Sequence, residues 1–274
     1  MNIKETFELL GKNYYTDIPE ILTLKNIPTA SELDYVGSED FDKVMIESIL
    51  PQAVEEQIDF YSLLEVDYQL VCRYLRILNY GPYYTTNQIF CNDCGARSRG
   101  EYRVNLNTIG CKPLPAGFKN EILISKDNFL DYPNDVKVKL LTTKEALNAR
   151  TDKAFKLPNG TQNREFARLC YSITALGNRT NLTPVEVSIA IRQDFSAADY
   201  RILRDEVNDA TDYGLRAGGY AQCPSCGSKK AAFIAFADDR FFRPTLGDLR
   251  EWKSERNRST GADKDLSRDQ TEAV

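Results

Sequence analysis

Seven cysteines and no histidine stand in this 274-residue sequence. Four of the cysteines form two short pairs, each closed by a glycine: Cys91-Asn92-Asp93-Cys94-Gly95 and Cys223-Pro224-Ser225-Cys226-Gly227. Two intervening residues let both thiolates of a pair face one ion, and the glycine can take the positive φ that turns backbone N–H groups toward sulfur. One such pair is weak evidence. Two pairs in a chain without histidine offer the four soft ligands that a closed structural zinc site takes, so Cys91, Cys94, Cys223 and Cys226 are the expected ligands of a single zinc ion. The stretch from Cys94 to Cys223 is far longer than the loop of a compact zinc ribbon. A shared ion therefore clamps distant parts of the chain, and its binding offsets the entropy of closing that loop. The competing readings are two uncoordinated thiol pairs or a redox CxxC, which requires a helix N-terminus in a βαβ setting that the pattern lacks.

The other thiols read differently. Cys72 and Cys170 fall among apolar residues inside expected helices, as small buried hydrophobes do, and Cys111 is a spare donor that a closed tetrahedron does not need.

The same features exclude much chemistry. Without histidine there are no His-based triads, HExxH enzymes or mixed Cys/His sites, and four cysteines leave a zinc ion no position for catalytic water. No phosphate-binding glycine loop, dinucleotide fingerprint or nucleophile elbow occurs. Asp238-Asp239 and Glu55-Glu56 lie in no recognisable metal-binding loop and read as solvated surface. No catalytic residue, small-molecule substrate or organic cofactor is expected; the chain reads as a non-enzyme.

The net charge is −5, which gives no general attraction to phosphate backbones or anionic membranes. Nucleic acid is a disfavoured partner, and no apolar run approaches the length needed to cross a bilayer. The N-terminus lacks a signal-peptide layout, so a cytoplasmic setting is expected, where close CxxC pairs are metal ligands sooner than disulfides.

The elements that must position the cysteines follow from periodicity. Residues 18–33 read as a strand, a turn and a helix start with Thr29 or Ser31 as cap. A helix from Asp42 carries Met45, Ile46, Ile49, Leu50, Ala53 and Val54 on one broad face. The next helix presents Leu64, Tyr68, Val71, Leu75 and Leu78, with Ser62 and Glu65 as a capping box, and Gly81 ends it. Tyr83 to Phe90 reads as extended, then the first knuckle, then a return strand from Tyr102 to Leu106. A Pro/Gly-bearing connection spans Lys112 to Phe118.

The grammar then runs again. Val136 to Leu147 resembles Leu22 to Leu33, helices are expected over Arg164 to Leu176 and Pro184 to Ile191, and Ser196 with Asp199 forms a second capping box. Gly218-Gly219 reads as a turn before the second knuckle, and Ala231 to Phe236 as the closing strand. Asp67-Tyr68 stands 24 residues before Cys91, and Asp199-Tyr200 stands 24 before Cys223. An internal duplication accounts for the register. The expected fold is α+β: two helix-plus-β-hairpin halves bridged by a four-cysteine zinc site. The expected units are an N-terminal segment 1–17, a first repeat 18–111, a second repeat 112–253 and a flexible charged tail 254–274. The aromatic pairs Tyr14-Tyr15, Tyr83-Tyr84 and Phe241-Phe242 fall near element edges, where they either complete the core or anchor an interface.

In their order, ILTLKNIPTASEL, VDYQLVCRYLRILNYG, CNDCG followed by YRVNL, and DYG, CPSCG and FFRP resemble the baseplate hub and baseplate assembly protein family of T-even-like contractile-tailed bacteriophages. The likeness runs from about residue 18 to 245; extra sequence at Lys153 to Asn163 and the tail beyond Trp252 depart from it. The resemblance implies a non-enzymatic late protein of virion assembly, working through protein–protein contacts. Its implied partners are other tail or baseplate proteins, met in the host cytoplasm during assembly or in the finished tail. The alternative from another class is a zinc-ribbon nucleic-acid-binding or transcription accessory protein, with Arg97, Arg99, Arg103 and Lys229-Lys230 as a small basic patch.

Overall fold

A computed structural model describes residues 4–28, 40–86, 89–90, 93–95, 97–98, 102–216, 218–223, 225–234, 236, 239–250 and 252–254. The protein is a mixed α+β structure with small antiparallel sheets. Cys91, Thr29, Ser31, Arg99, Asp238 and the tail from 255 onward lie outside the described residues.

The chain opens on a hairpin of β1 (Lys4–Glu8) and β2 (Ile21–Lys25), paired from Lys4↔Lys25 to Glu8↔Ile21. Alternation turns Phe7, Leu22 and Leu24 inward. The expected helix from Asp42 is present in three continuous pieces: α1 (Phe41–Val44), a π-helical turn (Met45–Ile49) and α2 (Leu50–Ala53). Pro51 has no N–H for the ladder, and the Leu50 N–H reaches back five residues to the Met45 carbonyl. The apolar face holds through this irregularity, with Met45, Ile46, Ile49, Leu50, Ala53 and Val54 all buried.

Helix α3 (Glu65–Tyr80) is the central support. It ends at Gly81, whose φ of 80° admits glycine readily. The expected Ser62–Glu65 capping box does not form. Leu64 is the N-cap with no side-chain bond, the Ser62 hydroxyl donates to Asp59 instead, and Glu65 is taken by two arginines. Beyond α3 come β3 (Tyr83–Thr86), the short pair β4 (Ile89–Phe90) and β5 (Arg97–Ser98), and β6 (Tyr102–Asn105), which returns antiparallel to β3.

After β7 (Cys111–Lys112), a four-stranded antiparallel sheet is built in the order β11-β10-β9-β8 from β8 (Ile122–Ile124), β9 (Val136–Val138), β10 (Ile173–Leu176) and β11 (Arg179–Thr180). Around it lie α4 (Thr143–Thr151), α5 (Arg164–Ser172), α6 (Pro184–Asp194) and α7 (Ala197–Ala210). The helix expected through Leu176 stops at Ser172. From Ile173 the backbone is extended and β10 pairs with β9, so the sheet claims this β-branched stretch. The last strands are β12 (Gly214–Leu215), β13 (Gly218–Gln222) and β14 (Lys229–Phe233). Gly218-Gly219, expected as a turn, lies within β13, pairing with Phe233 and Ala232.

Two apolar cores result. The first gathers Leu22, Ile49, Val71, Leu75 and Val104 with residues from the other end of the chain, including Leu215, Cys223, Ile234, Phe236, Phe241 and Phe242. The second lies wholly within residues 124–207, around Val136, Leu169, Ile173 and Leu203. Phe241 and Phe242 are thus core residues, in tilted ring contact with Tyr84 and Phe41 respectively.

The cores meet at Leu63–Glu65, where the Glu65 N–H donates to the Leu141 carbonyl and the Thr143 N–H to the Leu63 carbonyl, at 2.9 and 2.7 Å. Beside this bridge the buried Glu65 carboxylate accepts from Arg150 at 3.1 Å and Arg168 at 2.6 Å, and Arg150 also reaches Asp42 at 2.9 Å.

Candidate metal centre

The second knuckle is the tip of the β13–β14 hairpin, just past the pair Gln222↔Lys229. The Cys223 N–H donates to the Ser228 carbonyl and the Gly227 N–H to the Cys223 carbonyl, both at 2.8 Å. This turn requires a φ of 73° at Gly227, and the matching glycine of the first knuckle, Gly95, sits at 69°. The glycine after each CxxC therefore takes the conformation that its position demands. β13 lies against β6, which sets the two knuckle-bearing hairpins side by side.

That packing brings three of the four expected ligands together. The Sγ atoms of Cys94, Cys223 and Cys226 all lie within 4.8 Å of one another, and those of Cys94 and Cys223 are 3.8 Å apart although 129 residues separate them. A tetrahedron with metal–sulfur bonds of ~2.3 Å has an edge of about 3.8 Å. The spacing fits thiolates around one ion and is nearly twice the ~2.05 Å of a disulfide. Cys223 is buried, while Cys94 and Cys226 are exposed. The three thiols are close enough to hold a metal ion such as zinc.

The remaining thiols stand apart. Cys111 belongs to β7 and pairs with Leu215, and it is not in the cluster. Burial raises its thiol pKa above the usual value. Cys170 is pushed by burial up to about 12, and fully buried Cys72 is raised further still. Cys72 and Cys170 are thus the inert, buried thiols of a packed interior.

Among the described residues, Glu55 and Glu56 belong to no metal-binding group. Glu55 pairs with Lys4 at 2.5 Å, and Glu56 accepts from the Thr23 N–H at 2.8 Å.

Three polar devices that hold the surrounding fold were not read from the sequence. Asp67, the third residue of α3, accepts from the Leu10 and Gly11 N–H groups at 2.6 and 3.0 Å and from the Tyr15 hydroxyl at 2.6 Å. Asp199, the third residue of α7, accepts from the N–H groups of Leu130, Asp131 and Tyr132. Ser196 does cap α7, accepting from the Asp199 N–H, but the Asp199 side chain spans to this distant loop as well as to the Ser196 hydroxyl. Arg76, fully buried, donates to the carbonyls of Gly81, Tyr83 and Phe241, each at 2.8 Å. The only signal for these roles was position: two aspartates in the first turn of long helices, and an arginine on the apolar side of α3.

No known protein family, curated protein or solved structure matches the chain. Among the described residues, no helix is long and apolar enough to cross a membrane.

Proposed function

We propose that the protein is a non-enzymatic, zinc-stabilised scaffold that binds and places other proteins, and that it serves as a baseplate hub or baseplate assembly protein of a contractile-tailed bacteriophage. The observation that carries the scaffold reading is the cluster of Cys94, Cys223 and Cys226, which joins hairpins from opposite ends of the chain. Cys91, the residue that follows β4 in the sequence, supplies the fourth thiolate in this reading. A closed four-thiolate site fixes shape and leaves no coordination position for chemistry. The phage assignment rests on the ordered sequence motifs from residue 18 to 245, and the acidic balance suits a protein partner better than nucleic acid.

An internal duplication is part of the same reading. In each half an antiparallel strand pair, β1–β2 or β8–β9, is joined by a segment whose backbone N–H groups are gripped by the third residue of a later helix, Asp67 or Asp199. Each helix is then followed by a glycine at positive φ, Gly81 or Gly214. The second half has α5, β10 and β11 inserted between its first helix and α6.

Tagged protein recovered from phage-infected cells is expected to bring down tail or baseplate proteins in salt-resistant complexes. Recovery of DNA or RNA bound in a salt-sensitive manner, without tail proteins, would overturn the assignment in favour of the zinc-ribbon nucleic-acid reading.

A further inference from the structure

The C-terminal segment that follows β14 is anchored on α3 and β3, away from the thiols. Phe236, Phe241 and Phe242 sink into the first core, and the Phe241 carbonyl receives the Arg76 guanidinium that also binds Gly81 and Tyr83, where α3 passes into β3. Residues 246–250 then turn helical behind Thr245, whose N–H donates to Asp248 at 3.0 Å while its hydroxyl accepts from the Asp248 N–H. Buried Asp248 also accepts from the Thr85 hydroxyl of β3 at 2.6 Å. Farther on, Trp252 covers Gly81 so closely that a Cβ there would lie 2.4 Å from the indole Cγ.

β3 leads toward the first knuckle and β14 leads away from the second, so the segment grips the strand entering one knuckle and continues the strand leaving the other. We infer that residues 239–250 and 252–254 form a C-terminal clasp coupled to the metal centre, which metal binding closes and metal loss releases. The inference rests on the zinc reading. Two hairpins fixed at both tips and bases share one orientation; fixing the tips lowers the entropic cost of docking the clasp, and docking the clasp presents the thiols together. Released, the clasp would uncover the aromatic side chains of Phe241, Phe242 and Tyr84, a surface of the kind that protein partners bury.

The chain has a single tryptophan, Trp252, so its emission reports the clasp directly. Full-length protein stripped by a chelator is titrated with zinc, with occupancy followed by competition against a chromogenic chelator and the clasp by tryptophan fluorescence. Emission is expected to change in step with occupancy and saturate with it. Trp252→Ala and, with the reporter retained, Asp248→Asn are expected to weaken zinc binding about tenfold. Full zinc occupancy with unchanged emission and with undiminished affinity in both variants would overturn the coupling and leave the metal centre standing. A chain that takes up no zinc would overturn both.

Discussion

Asp67 and Asp199 do the same work in different cores: each is the third residue of its helix, and each carboxylate closes on backbone N–H groups of a segment between two antiparallel strands. A carboxylate at a helix N-terminus also meets the positive end of the helix dipole. Asp67→Ala would leave the Leu10 and Gly11 donors and the Tyr15 hydroxyl without their acceptor in a buried setting. A loss of about 3 kcal/mol is expected in urea unfolding. A loss too small to measure would show that this contact is dispensable.

The two aspartates should respond to acid with opposite sign. Burial raises the Asp67 pKa above the usual carboxylate value, outweighing its hydrogen bonds from Tyr15, Leu10 and Gly11. Burial also works against Asp199, but the N–H groups of Leu130, Asp131 and Tyr132 and the Ser196 hydroxyl together hold it below that value. The stability from Asp199 is therefore present above about pH 4 and is lost as pH falls through its depressed folded pKa, whereas ionisation of Asp67 costs stability as pH rises through its raised one. The gap in urea midpoint between wild type and Asp199→Asn should shrink from pH 7 to pH 3, and the gap for Asp67→Asn should not. A gap for Asp199→Asn that is constant across this range would contradict the assignment.

Arg76 is a buried cation whose guanidinium donates to three carbonyls, at the end of α3, at the start of β3 and in the C-terminal segment. Arg76→Leu strands two buried carbonyl oxygens and one part-buried one and should cost about 4 kcal/mol in thermal or urea unfolding. Arg76→Lys keeps the charge but lacks the planar fork, so it should recover less than half of that loss. Full recovery by lysine would mean that charge matters here and geometry does not.

At the boundary between the cores, Glu65 is nearly buried between Arg150 and Arg168, while Arg168 is about half exposed. Glu65→Gln should destabilise by about 2 kcal/mol, because it removes the buried charge that both guanidiniums face and leaves Arg150 with Asp42 alone. Arg168→Ala should cost under about 1 kcal/mol, since solvent screens the exposed partner. Equal losses from the two variants would argue against this division.

Much of the architecture was legible because apolar spacing survives local irregularity. The stripe from Met45 to Val54 is one buried face even though a π-helical turn interrupts it, and Gly81 and the glycines after each CxxC take the positive φ their positions required. Tertiary pairing was not legible. Ile173 to Leu176 continues a helical pattern but is drawn into the sheet by β9, and Gly218-Gly219 has turn composition yet pairs with β14. Glu65 carries the sequence signature of a capping residue, but two arginines more than 80 residues away take its carboxylate. The register of Asp67 and Asp199 to the knuckles was visible in the sequence; their grip on distant loops depends on strands that bring those loops to the helix ends. Within the centre, the spacing of the cysteines foretold the meeting of Cys94, Cys223 and Cys226, while Cys91 lies outside the described residues.

The central claim is tested most directly by counting zinc in the purified full-length protein by elemental analysis, beside Cys223→Ser and Cys111→Ser. One zinc per chain is expected in the wild type and in Cys111→Ser, with loss of metal and a lower unfolding midpoint in Cys223→Ser. A metal-free wild type of equal stability, or a Cys223→Ser variant that retains its zinc, would contradict the account.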